Sequence, residues 1–407
     1  MNLAQLQEKY AEKKAIGLSL DMSRGKPGAD QCDLSNGLLD AKWLQPAKNE
    51  VNFDCRNYGI LDGIPEVKRL FAELFDVPEA QVIACGNASL TLMYDYLAHC
   101  MIFGSGAEPW CKQGNVKFLC PVPGYDRHFG ILELLGIEMI NVPMLADGPD
   151  MALVEQYVQD PGVKGLICVP KYSNPEGKTF SDAVVHAFAA LKPAAPDFRV
   201  IWDNAYIVHD LYDETDPLLN ILEVAKEYGT EDRFVEVASF SKVTFPGAAV
   251  AAIAASPANI AAILKRMNIQ TIGHDKLNQL RHARYFKDLA GIKAHMKRHA
   301  EILRPKFEAV LDILARDLTG ICTWTAPRGG YFISLDLPAG CAARTAQLLK
   351  EAGVTLTPAG ATFPHGRDPG DRNLRIAPTF PPLEELVAAT ELLTICARIA
   401  VLEKQKI

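Results

Sequence analysis

The sequence lacks an excess of positive charge. Its 42 lysines and arginines are outnumbered by 49 acidic side chains, for a formal net charge of −7, and no basic tail is present. That balance argues against a nucleic-acid partner. Also missing is any uncharged apolar run of about 18 residues, so no membrane span is expected. The nearest candidate, 247–263, is rich in alanine and interrupted by Ser256, Pro257 and Asn259. Met1 to Lys14 is polar and lacks the apolar core of a signal peptide. No C-x-x-C spacing occurs among the ten cysteines, Cys32, Cys55, Cys85, Cys100, Cys111, Cys120, Cys168, Cys322, Cys341 and Cys396. Several lie in apolar runs as small hydrophobes. Neither a disulfide framework nor a metal site is expected, and a reducing cytoplasm fits. Repeats and low-complexity segments are absent too. What remains is a globular composition, 407 residues with 49% hydrophobic and 22% charged, enough for one large and one small domain.

Residues 1–16 read as a polar helix, and Leu18 to Gly28 as an extended segment closing in a Gly/Pro loop. Pro65 opens a helix whose apolar stripe is Val67, Leu70, Phe71, Leu74 and Phe75. From about 80 to 255 strand and helix patterns alternate, the signature of an α/β fold with a mostly parallel sheet covered on both faces. The strands are Val82–Ala84, Val116–Cys120, Gly136–Val142, Gly165–Val169, Arg199–Trp202 and Phe234–Ala238. Polar, glycine-rich or aromatic residues follow the carboxyl ends of most of them, where open α/β sheets bind ligands. After a helical middle, 260–315, short strands and loops fill 322–377, and an amphipathic helix runs from Leu383 to about Leu402.

Ala238-Ser239-Phe240-Ser241-Lys242 stands at the mouth of the last of these strands. Desolvation disfavours a charged ammonium, and a neutral amine there is ready to attack an aldehyde. Hydroxyls and main-chain N–H groups beside it are donors suited to a phosphate. Taken alone, the stretch reads more readily as a surface Ser-Lys turn after a strand.

Six motifs in order decide between those readings. They are Ser23-Arg24-Gly25-Lys26-Pro27, Gly86-Asn87-Ala88-Ser89, Pro123-Gly124-Tyr125, Asn174-Pro175-Glu176-Gly177, Asp203-Asn204-Ala205-Tyr206 and Ser239-Phe240-Ser241-Lys242; Leu374-Arg375-Ile376-Ala377-Pro378 closes the series. Together they resemble the pyridoxal-phosphate (PLP) aminotransferases of fold type I, and within them the bacterial type Ic aspartate aminotransferase subgroup.

The resemblance implies a large PLP-binding domain, 51–300, and a smaller α+β domain made of 1–50 and 301–407. By it, Lys242 is the Schiff-base lysine. Asp203 pairs with the pyridine nitrogen, and its alternative is a helix N-cap. Tyr206 and Asn174 serve the cofactor's O3′, and Tyr125 stacks on the ring. Gly86, Asn87, Ala88, Ser89, Ser239 and Ser241 hold the phosphate, Ser239 matching better than Ser241. His128 is a candidate to back Asp203. Arg375, with Gly25 and Asn174, takes the substrate α-carboxylate. Tyr58 reaches the phosphate of a neighbouring subunit, which makes the active unit a homodimer. Amino acids and 2-oxo acids are the implied substrates, aspartate and 2-oxoglutarate foremost, in a ping-pong cycle.

Two departures stand out. The family's phosphate-binding arginine, eight residues after the lysine, is replaced by Val250, which leaves Lys171, Arg24 or uncharged donors to balance the phosphate. No residue clearly matches the arginine for a distal carboxylate, so Arg24, Lys26, Lys276 and Arg281 are candidates. Other readings keep the cofactor: an alanine, aromatic or kynurenine aminotransferase, or a β-lyase. A regulator built on this fold would need a DNA-binding domain, for which residues 1–20 are too short.

Overall fold

Seven apolar segments pair into the central sheet of the computed structural model, which describes residues 1–406. In chain order the strands of the molecule are β1 (Leu20–Asp21), β2 (Val82–Ala84), β3 (Lys117–Val122), β4 (Glu138–Pro143), β5 (Val163–Cys168), β6 (Arg199–Asp203), β7 (Phe234–Ser239), β8 (Ala251–Ala255), β9 (Thr323–Trp324), β10 (Ile333–Asp336), β11 (Val354–Thr355) and β12 (Asn373–Ile376). The large sheet has the order β2-β8-β7-β6-β5-β3-β4. Its core from β4 to β7 is parallel, and β8 runs antiparallel to both β7 and β2. Strands β5 and β6 are buried along their whole length, as helices on both faces require. The small-residue run after the lysine becomes β8, registered Val235↔Ala255 through Ser239↔Ala251.

This topology sends β3, β5, β6 and β7 out at one edge of the sheet. There the chain reaches Tyr125, Asn174, Asp203 and Lys242 in turn. Doubly reversed, β2 leaves at the same edge, so Gly86 to Ser89 joins them.

Two smaller sheets stand beside this edge: antiparallel β12-β10-β9 and the parallel pair β1-β11, with Leu20 opposite Val354. Leu6 and Met22 are buried in one apolar cluster with residues between 303 and 401, which ties the first turns of the chain to its last third. The short helices 36–44 pack instead on the helix Lys276–Phe286. The helix Leu289–Leu318 runs unbroken across residue 300. The last helix, Leu383–Lys404, packs against three others and buries Leu386, Leu392, Leu393, Cys396, Ile399 and Ala400. It is a core helix, where its sequence suggested an amphipathic one. Among the described residues no helix is long and apolar enough to cross a membrane, and no group of three or more His, Cys, Asp or Glu is placed to hold a metal.

Candidate active site

Lys242 follows β7 through a turn anchored by Phe240. That side chain is fully buried, stacks on Phe71 at 4.5 Å, and its N–H donates to the Val250 carbonyl at 2.9 Å. The lysine keeps a partly exposed edge while its amine is enclosed, 5.0 Å from the centre of the Tyr206 ring and 5.9 Å from that of Tyr331. Burial lowers the affinity of this amine for its proton; Asp203 opposes the shift and Arg375 adds to it.

Asp203 ends β6 and is 2% exposed. Its Oδ2 lies 2.9 Å from His128 Nε2, whereas the buried Oδ1 has no protein partner. A buried carboxylate oxygen left single is costly, so its natural complement is a donor from outside the chain. No helix follows Asp203, and it caps none. Tyr206, 2% exposed, holds its phenol proton well above the ordinary range, first through burial. Tyr125 heads the helix Asp126–Leu134, edge-on to His128 at 4.9 Å, and burial raises its phenol to about 12.

The helix Ser89–Phe103 begins at Ala88, whose side chain cannot cap it. Its first N–H groups are therefore available to an anion. Asn87 Nδ2 donates to the Pro246 carbonyl at 2.8 Å and Ser241 Oγ to Asn87 Oδ1 at 3.4 Å, which joins this turn to the lysine loop. Ser239 Oγ accepts from the Ser241 N–H at 3.4 Å. An orphaned acceptor, an uncapped helix start and an enclosed amine fit the ring nitrogen, phosphate and aldehyde of PLP.

A cleft of about 490 Å³ opens on the lysine, lined by Gly25, Tyr125, Asn174, Tyr206, Lys242 and Arg375, whereas Gly86, Asn87 and Ala88 line a separate cavity. Arg375, on β12, is 5% exposed. It donates to Asn174 Oδ1 at 3.1 Å and Asp126 Oδ1 at 2.7 Å, and its guanidinium lies 4.8 Å from the centre of the Phe332 ring. A side chain at Gly25 would meet that ring at 2.3 Å.

Other candidates lie elsewhere. Tyr58 is 77% exposed. Lys171 pairs with Asp210 at 3.0 Å, away from the cleft. Lys276 approaches the His274 carbonyl at 3.4 Å, and Arg281 donates to Asn278 at 2.7 Å; neither lines the cleft. Val250 is 1% exposed within the apolar core, where an arginine would be desolvated and unpaired. Of the cations considered from sequence, Arg24 and Lys26 do line the cleft. Asp126, Arg127, Phe332 and Thr357 line it as well and escaped the sequence reading. The one available signal was that Asp126 and Arg127 directly follow Tyr125.

Residues 1–407 match the family model described as aspartate amino-transferase. An aspartate aminotransferase of Corynebacterium glutamicum is 45% identical over 402 residues, covering 98% of this chain and 93% of that protein. A crystal structure of an aspartate transaminase from the same organism superposes with a TM-score of 0.97, at 45% identity, over 99% of this chain and 96% of the other. More distant is a Thermus thermophilus aspartate aminotransferase with maleate, TM-score 0.71 at 19% identity over 98% and 96% of the two chains, which shares the fold. The chain is an aminotransferase of fold type I and belongs to the aspartate amino-transferase family.

Proposed function

We propose that this aminotransferase binds PLP at the carboxyl edge of its sheet and moves the amino group of aspartate to 2-oxoglutarate. The observation that carries the reading is the buried, unpartnered Asp203 Oδ1 in a site whose other residues include an enclosed lysine. Asp203, held by His128, would keep a ring nitrogen protonated, Tyr206 and Asn174 would bond O3′, and Tyr125 would cover the ring. The N–H groups opening Ser89–Phe103, the Gly86-Asn87-Ala88-Ser89 turn, and Ser239 and Ser241 would take the phosphate without an arginine at position 250. When bound, the cofactor supplies an aldehyde and a ring that accepts electrons.

The remaining work falls to the chain. Arg375, set against Gly25 and Asn174, orients the α-carboxylate so that the Cα proton faces Lys242. Its lowered proton affinity leaves the amine free to take that proton. Arg24, Lys26 and Arg127 line the same cleft and supply positive charge for a second carboxylate. That charge favours a dicarboxylic substrate over alanine, aromatic, kynurenine or β-lyase chemistry. The functional unit is a homodimer working in the cytoplasm, each subunit with a large domain and a smaller one that unites the first turns of the chain with its last third.

Absorption of the purified holoprotein in the near-ultraviolet and visible range tests this reading. Adding aspartate should change the cofactor band, alanine and phenylalanine should do so far less, and Lys242→Ala should show no turnover. A cofactor band that alanine shifts as readily as aspartate would overturn the substrate assignment.

A further inference from the structure

Arg375 has five N–H hydrogens, and four are already engaged. Two on one terminal nitrogen go to Asp126 Oδ1 and Asn174 Oδ1, at 2.7 and 3.1 Å, while Nε and the other terminal nitrogen both donate to Thr357 Oγ1, at 3.3 and 3.1 Å. A bidentate grip on a carboxylate takes two parallel N–H donors. One hydrogen remains, so an entering α-carboxylate must displace a partner.

The three partners differ in what holds them. Asn174 and Thr357 are 4% and 5% exposed, and Thr357 donates onward to the Ser23 carbonyl. Asp126 is the first residue of its helix, its side chain 34% exposed, and apart from the bond to Arg375 its carboxylate has no other salt bridge. It is also the only partner of the same chemical kind as the incoming group. Swinging it toward water exchanges carboxylate for carboxylate at the guanidinium, with no buried charge left unpaired.

We propose that Asp126 is a stand-in for the substrate's α-carboxylate: it keeps Arg375 paired in the empty site and is displaced on binding, which lowers affinity for every carboxylate ligand. This rests on the reading that Arg375 grips that carboxylate. Asp126 is a positioning residue, since it acts through Arg375. Its presence explains how a nearly buried guanidinium is kept in place when no substrate is there to pair with it.

The test is calorimetric titration of the cofactor-loaded protein with succinate, a dicarboxylate without an amino group. Asp126→Asn, nearly isosteric and neutral, should lower the Kd by roughly ten- to 150-fold, the equivalent of one charge-assisted hydrogen bond. Asp126→Ser, another side chain tolerated at a helix start, should move it the same way. Arg375→Ala should weaken succinate binding, and adding Asp126→Asn to that variant should change nothing further. An unchanged or raised Kd in both Asp126 variants, with Arg375→Ala still impaired, overturns the stand-in role alone. If Arg375→Ala binds succinate as the wild type does, the gripping role of Arg375 falls, and the proposal with it.

Discussion

Single atoms decide the chemistry of this site. Asp203 has one oxygen committed to His128 and one without a partner, so its charge is available to a cationic ring nitrogen. Asp203→Asn keeps the shape and removes the charge. Transamination should fall by several orders of magnitude while the purified variant retains its cofactor band; near-wild-type rates would leave Asp203 a structural role only. Gly25 poses a steric question. A methyl group there would sit 2.3 Å from the buried Phe332 ring, which in turn covers the Arg375 guanidinium. Gly25→Ala should therefore raise KM for all amino acids alike, by roughly tenfold to a hundredfold, as a displacement of about 1 Å can. An effect confined to aspartate would place Gly25 at the distal carboxylate. Lys242, Asp203, Tyr206 and Arg375 could be found in the sequence because each sits in a short motif at or beside a strand. Asp126 could not: its meaning comes from a partner 249 positions away, and in one dimension it is merely an acidic residue at a helix start.

At the scale of elements, β7 carries a buried carboxyl beside the strand, β6, that ends in Asp203. Glu236 is 3% exposed, and its one hydrogen bond is accepted from Asn204 at 2.8 Å. Burial raises its carboxyl from 4.5 to about 7, with the Asn204 bond working the other way. The folded state thus holds this proton more tightly than the unfolded chain does. The stability it contributes is complete below about pH 4.5 and is lost as pH rises through about 7. Glu236→Gln is neutral at every pH. In calorimetric melts it should match the wild type near pH 4 and exceed it near pH 8, by about 1–3 kcal/mol. The same gain at both pH values would show that packing, not ionisation, is responsible. The strands themselves were legible because runs buried on both faces are continuously apolar. The last helix reads as amphipathic because its Ala, Cys and Thr positions look neutral in sequence, yet three neighbouring helices bury them.

Over the whole molecule, one group of residues remains unused by its own cleft. Tyr58 is 77% exposed, and its loop lies against the Lys276 segment: a side chain at Gly273 would meet the Gly59 carbonyl at 2.7 Å. Exposed apolar side chains stand on the helices Ser89–Phe103 and Pro257–Gln270, where Ile102, Phe103 and Ile269 line one open surface cavity, and Ile272 is exposed just beyond the second helix; such a patch is more than a solitary chain usually shows to water in one place. A second copy related by a two-fold axis would cover them, because such an interface pairs a patch with itself, and it would carry Tyr58 toward the other cleft. Complementation tests that arrangement. Lys242→Ala lacks the amine, and Tyr58→Ala lacks the residue lent to the neighbour. In a mixed dimer one site suffers both losses, while the other combines an intact lysine with an intact tyrosine. Random pairing makes half the dimers mixed, so roughly a quarter of all sites should be native. Mixtures refolded together should recover about that share of wild-type activity at low PLP, where the weakened Tyr58→Ala sites are empty. Mixtures of separately folded variants should not recover it. Activity equal to the simple average of the two parents would mean that each subunit completes its own site, and Tyr58 would then be an ordinary surface residue.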